Sequence, residues 1–194
     1  MNRLVLHSTS LAQWYTLVNE AEDFFGKRLD TDLESYLVHL LQRYTNKPDI
    51  SDTILAIDYL DSLATSGKLR QEKLRDVGDK CLLFSGFFPE SANRRLVTVS
   101  YFVELGRRAY FYLAELHNAG LLTSKLYGLL RTHFVSLLDL LFSIRELSGE
   151  QQALTLLQAE ELWRNTGSEY ALKILKKHNK DITLIKNIPM NKIH

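Results

Sequence analysis

The chain has one cysteine, three prolines and nine glycines in 194 residues, and its charges almost cancel. A lone thiol, Cys81, excludes an intrachain disulfide and any multi-cysteine zinc or iron–sulfur site. It fits a reducing compartment. With 24 basic and 23 acidic residues the net charge is +1, so no overall field selects nucleic acid, an acidic membrane or an anionic substrate. Long apolar runs are also missing. A spanning helix needs roughly 18 or more apolar residues in succession, but the longest stretches are interrupted by Glu104, Arg107 and Arg108, and by His133 and Asp139. The opening MNRLVLHSTSL carries too short an apolar patch for a secretory signal. The expectation is therefore a soluble, cytoplasmic protein with no membrane insertion.

Catalytic and nucleotide signatures are missing as well. There is no Gly-x-Gly-x-x-Gly, no Gly-x-x-x-x-Gly-Lys and no Gly-x-Ser-x-Gly. Di-iron bundles use Glu-x-x-His on two helices, and the chain has none. Glu34 and His39 are five apart and Glu115 and His117 two apart, so neither pair shares a helical face. No histidine is followed by aspartate. No catalytic residue, metal or cofactor is assigned on this reading.

What is present is helical periodicity. Sparse Gly and Pro fall between apolar repeats, and no strand-and-turn pattern or 20–50-residue repeat appears. The first helix starts at Ser10, with Gln13 as capping-box partner, and ends at Gly26. The second starts near Thr31 and stops before Pro48. The third, capped by Ser51, carries Ile54, Ile57, Leu60 and Leu63 and closes at Gly67. The fourth runs from Lys68 to about Phe84, with Gly78 as an interior weak point. The fifth spans Ser91 to Asn118 and the sixth Thr123 to Leu147. A seventh covers Gln151–Asn165 and an eighth Glu169–Lys177. The fold class is thus all-α: one domain of about seven to eight helices over residues 1–178, followed by an extended or disordered basic tail over 179–194.

The fifth helix is the expected centre, because it reads as apolar on most of its circumference. Val99, Phe102, Gly106, Ala109, Leu113 and Leu116 form a seam in which Gly106 and Ala109 admit a close neighbour. Its polar flank holds Glu104 and Arg108 at ion-pair spacing, with Arg107 beside them. These residues either form a solvated edge or clamp an anion, since guanidinium suits carboxylate or phosphate. A ligand pocket between helices four, five and six would draw on Asp79, Tyr101, Glu104, Arg107, Arg108 and His133. Against that, His133 on the apolar side of the sixth helix reads more simply as a core histidine. The sixth helix has Leu126, Leu130, Leu137, Leu141 and Ile144 on one side, and Thr132, Asp139, Ser143 and Glu146 opposite.

Phe87 and Phe88, just before Pro89, either fold back as a hydrophobic staple or protrude toward a partner. Burial is the expectation. From Ser168 onward, Lys173, Lys176, Lys177, Lys180, Lys186 and Lys192 face only Glu169 and Asp181. This local excess admits weak phosphate contacts with nucleic acid, although no aromatic follows Tyr170 to stack on bases. Taken together, the sequence points to a helical interaction protein, an adaptor or regulator that binds another protein or itself. A small-ligand or cofactor-binding bundle, possibly an enzyme, is the alternative.

Overall fold

The computed structural model describes residues 10–46, 54–94, 96–116, 120–149 and 154–183. Among these there are ten helices and no strand, an all-α bundle. The order is α1 (Ser10–Phe25), α2 (Thr31–Asn46), α3 (Leu55–Ala64), α4 (Gly67–Phe87), α5 (Glu90–Arg94), α6 (Val99–Glu115), α7 (Leu121–Thr132), α8 (Phe134–Leu147), α9 (Leu156–Thr166) and α10 (Glu169–Thr183). Helix α10 runs past the boundary expected at 178, and residues 184–194, assigned to the basic tail, lie outside the described residues. So does Ser51, the expected cap of α3.

Two expected helices are each two. The fifth breaks after Arg94. Leu96 sits there in the left-handed region at φ 56°, and Thr98 caps α6 by accepting the Tyr101 N–H. The sixth bends by 66° between α7 and α8. His133 is the joint, at φ −97° and ψ 13°, and its side chain is exposed rather than buried in the core. The bend lets α7 lie along α6 while α8 turns toward α1 and α4. No single helix among the described residues is long and apolar enough to cross a membrane. The α7–α8 pair has the composition for it only as a bent unit, and most of α8 is buried within the bundle.

Helix α2 starts one residue earlier in capping terms than its sequence suggests. Asp30, not Thr31, accepts the Asp32 N–H through its side chain and the Glu34 N–H through its carbonyl. Gly26 ends α1 as expected, in the left-handed conformation at φ 78°.

The centre is shared rather than held by one rod. Helix α6 buries Phe102, Val103, Gly106, Ala109, Tyr110 and Leu113, but leaves Tyr101, Glu104, Arg108 and Tyr112 in solvent. The most enclosed stretches are Cys81–Gly86 of α4 and Leu137–Ile144 of α8, which are continuously buried. They can be continuous because helices lie close to them on several sides. A Cβ at Gly106 would lie 2.5 Å from the Phe134 ring and 2.9 Å from the Cys81 Cβ. One at Gly78 would lie 2.6 Å from the Tyr110 ring, and one at Gly86 2.6 Å from Leu141. Gly78, a weak point by propensity, is thus the floor on which Tyr110 rests. Cys81 is fully buried, and desolvation lifts its thiol far above the usual range, so it behaves as a small hydrophobe.

Asp139 and Ser143, read as part of a polar stripe, are buried too. Asp139 accepts from the Ser168 hydroxyl and from the Glu169 N–H at 2.9 Å, so it ties α8 to the first turn of α10. Ser168 in turn accepts the Ala171 N–H. Burial raises the Asp139 carboxyl from 3.8 to about 6, against the pull of these donors.

Two outcomes follow from this packing. Gly106→Ala should lower the unfolding free energy by about 1–3 kcal/mol through overpacking, despite its better helix propensity. Gly128→Ala on α7, where an added Cβ meets nothing within 4 Å, should raise it by up to about 1 kcal/mol. Urea unfolding of both variants is the measurement. For Asp139 the sign is set by a raised carboxyl: the folded state holds the proton more tightly than the unfolded chain. Its contribution is therefore full below about pH 4 and is lost as pH rises through about 6. The stability difference between wild type and Asp139→Asn should fall by roughly 2–3 kcal/mol over that window. A flat difference would show that burial does not govern this carboxyl.

Candidate functional site

The buried acid Asp79 was one of six residues expected to share a pocket. It lies on α4 next to Gly78, where three elements converge. Its Oδ1 accepts from the Tyr36 hydroxyl of α2 at 2.6 Å and the Tyr110 hydroxyl of α6 at 2.8 Å. Its Oδ2 accepts from the Arg43 guanidinium of α2 at 2.6 Å. Burial lifts the carboxyl above its usual range, while Arg43 and the two phenols pull it back. Both phenols are held well above their normal range, by burial first and by the adjacent carboxylate second. They remain protonated donors. This is a satisfied knot joining α2, α4 and α6, in which Arg43 is the most exposed member and Tyr36 is partly buried.

The other five do not gather around Asp79. Tyr101 is exposed on α6 with its ring edge-on to Phe102. His133 is exposed at the α7–α8 joint. Glu104, Arg107 and Arg108 do come together, on the outer flank of α6. With Phe111 and Arg131 of α7 they line a shallow depression of about 240 Å³. The Glu104–Arg108 pair forms at the expected spacing, at 3.6 Å, and being exposed it contributes little. Arg131, whose part sequence spacing did not reveal, lies over the Phe111 ring at 4.5 Å.

The flank extends toward α3. Phe111 meets Tyr112 with ring centroids 5.6 Å apart, and Tyr112 meets Tyr59 of α3 at 6.3 Å. Arg70 from the start of α4 approaches the Tyr112 ring at 6.0 Å, and its buried Nε has no hydrogen-bond partner. A continuous belt of arginine and aromatic side chains thus runs from α7 across α6 to α3.

At α3 the surface becomes apolar. The helix buries Leu55 and Ser62, which places Ile54, Ile57 and Leu60 outward at 62%, 51% and 62% exposure. Of the four apolar residues read on this helix, Leu63 packs against the core while Ile54, Ile57 and Leu60 face solvent. The helix is only ten residues long, and of its polar residues Asp58, Asp61 and Ser62, which share one side, Ser62 is buried while Asp61 is exposed.

Phe87 and Phe88 are half-buried and pack against the core. Phe88 sits edge-on to Tyr44 at 6.1 Å, and the Phe87 carbonyl accepts from Arg145 at 2.7 Å. Of the C-terminal lysines, Lys173 lies over the Phe25 ring at 4.0 Å, which occupies it within the fold. Lys186 and Lys192 lie outside the described residues. Among the described residues no group of three His, Cys, Asp or Glu side chains could hold a metal ion.

The chain matches no protein-family model, no curated protein and no solved structure.

The Asp79 knot yields a stability test. Tyr110→Phe and Tyr36→Phe each remove one donor from a buried carboxylate and should cost about 1–2 kcal/mol. The double variant should cost more than the sum, because the carboxylate then keeps Arg43 alone. Strict additivity in a double-mutant cycle would show that the two phenols do not act on one group.

Proposed function

We propose that this protein is a helical interaction module, an adaptor or regulator that binds another protein or a second copy of itself through the outer face of α3. The observation that carries this reading is the outward stripe of Ile54, Ile57 and Leu60, abutting the arginine–aromatic belt through Tyr59 and Tyr112. Clustered apolar side chains on a surface mark contact sites more often than scattered ones do. Tyrosine and arginine are the residue types enriched among the anchors of protein interfaces. An amphipathic partner helix is the natural complement for a short apolar helix face. The reading is of a cytoplasmic protein, in keeping with the free thiol at Cys81.

A photo-crosslinking residue in place of Ile57 should give a discrete adduct in cells, whereas the same residue in place of Glu160 on α9 should not. An adduct of twice the chain mass identifies self-association, to be matched by light scattering of the purified protein. Ile57→Asp combined with Leu60→Asp should weaken the contact by about tenfold or more. Thermal stability should be almost unchanged, since both side chains are already exposed. A protein that stays monomeric at high concentration and yields no adduct from position 57 would defeat this reading.

A further inference from the structure

We propose that the depression on the outer flank of α6 is a binding site for a phosphomonoester group, with Arg107 and Arg131 as its principal ligands and Arg108 at its rim. This goes beyond the α3 reading and does not rest on it.

Three guanidinium groups, Arg107, Arg108 and Arg131, converge there from two helices, and Glu104 supplies the single carboxylate of the lining. The lining therefore carries an excess of two positive charges on a protein whose net charge is +1. Several other arginines meet a carboxylate at short range. Arg28 meets Glu22 at 2.8 Å, Arg43 meets Asp79 at 2.6 Å and Arg164 meets Glu160 at 2.6 Å. Arg107 and Arg131 have no such carboxylate among the described residues, and Arg108 has only a long contact with Glu104, at 3.6 Å. Like charges gathered in one place repel, and an anion is what relieves that repulsion.

The ligand class follows from charge, shape and size. A phosphomonoester carries about −1.5 to −2 at neutral pH and three acceptor oxygens, which matches the excess of two. A carboxylate would leave half of that excess in place. Guanidinium groups bind phosphate through paired, charge-assisted hydrogen bonds. Arg131 is already held in place by the Phe111 ring at 4.5 Å, so less side-chain freedom is lost on binding. A depression of about 240 Å³ falls below the roughly 300–1,000 Å³ of sites that enclose a whole small ligand. It suits the head group alone, with the ester's organic part lying outward, toward the exposed Tyr112 ring.

The test is titration of the full chain with phenyl phosphate, inorganic phosphate and benzoate at constant ionic strength. It is followed by NMR at the arginine Nε–H groups. Phenyl phosphate should bind saturably in the millimolar range or tighter, shift Arg107 and Arg131, and bind more tightly than inorganic phosphate or benzoate. Arg107→Gln and Arg131→Gln should each weaken it about tenfold, whereas Arg164→Gln should leave it unchanged. Glu104→Gln, which removes the competing carboxylate, should strengthen it. Each variant replaces a side chain outside the core, and its thermal unfolding curve verifies that it is folded. Non-saturable shifts, equal affinity for benzoate or inorganic phosphate, or equal losses in Arg164→Gln would overturn the proposal.

Discussion

The contact on which the rest of this structure depends is the close approach of α4 to α6 and α8. It exists because Gly78, Gly86 and Gly106 present backbone where other residues would present a side chain. Rings and branched side chains fill the space so released: Tyr110 over Gly78, Leu141 over Gly86 and Phe134 over Gly106. A glycine inside a helix costs about 1 kcal/mol relative to alanine. The burial of Phe134 and Tyr110, each essentially complete, offsets that cost at roughly 1.5–3 kcal/mol per large apolar side chain. The same approach fixes chemistry. With its ring resting on Gly78, Tyr110 aims its hydroxyl at Asp79, the next residue along α4. The buried charge is thereby satisfied by the packing that encloses it.

Much of this was legible from residue spacing. The small pair Gly106 and Ala109 marked the close contact of α6, and Glu104 and Arg108 formed the pair their spacing suggests. Gly26 ends α1 as read. The failures have physical causes. Tyr36 and Arg43 reach Asp79 from 43 and 36 residues away, a separation at which no local pattern operates. The α7–α8 bend contains neither proline nor glycine. It arises because the two halves pack on different neighbours, a tertiary preference that overrides propensity. Thr98 was a legible cap standing before an apolar run, hidden only by the apparent continuity of the pattern from Ser91. The rotation of α3 departs from its amphipathic pattern, because the helix buries Ser62 beside Leu55 and leaves Leu60 in solvent.

The two buried carboxylates play parallel parts. Asp79 gathers α2, α4 and α6, and Asp139 gathers α8 and α10. In both cases burial pushes the carboxyl upward and hydrogen-bond donors pull it down. Removing a partner from such a group costs more than the pair contributes, because an unsatisfied buried acceptor remains. These acids specify which helices meet, and their oxygens are already committed to neighbours within the fold.

That commitment bears on where function lies. The acids Asp79 and Asp139 and the phenols of Tyr36 and Tyr110 hydrogen-bond within the fold, and the Cys81 thiol is buried. Charged and apolar side chains also meet on the surface where α6 adjoins α3. The depression on α6 holds arginines without close acids, and α3 holds Ile54, Ile57 and Leu60 without cover. The Tyr59–Tyr112 contact joins the two. Arg107 and Arg131 have no carboxylate at ion-pair distance among the described residues, and the burial of Leu55 turns Ile57, two residues on, to the opposite face of α3. The α3 stripe and the α6 depression thus adjoin each other through a pair of aromatic rings, and both lie outside the packed interior that holds the helices together.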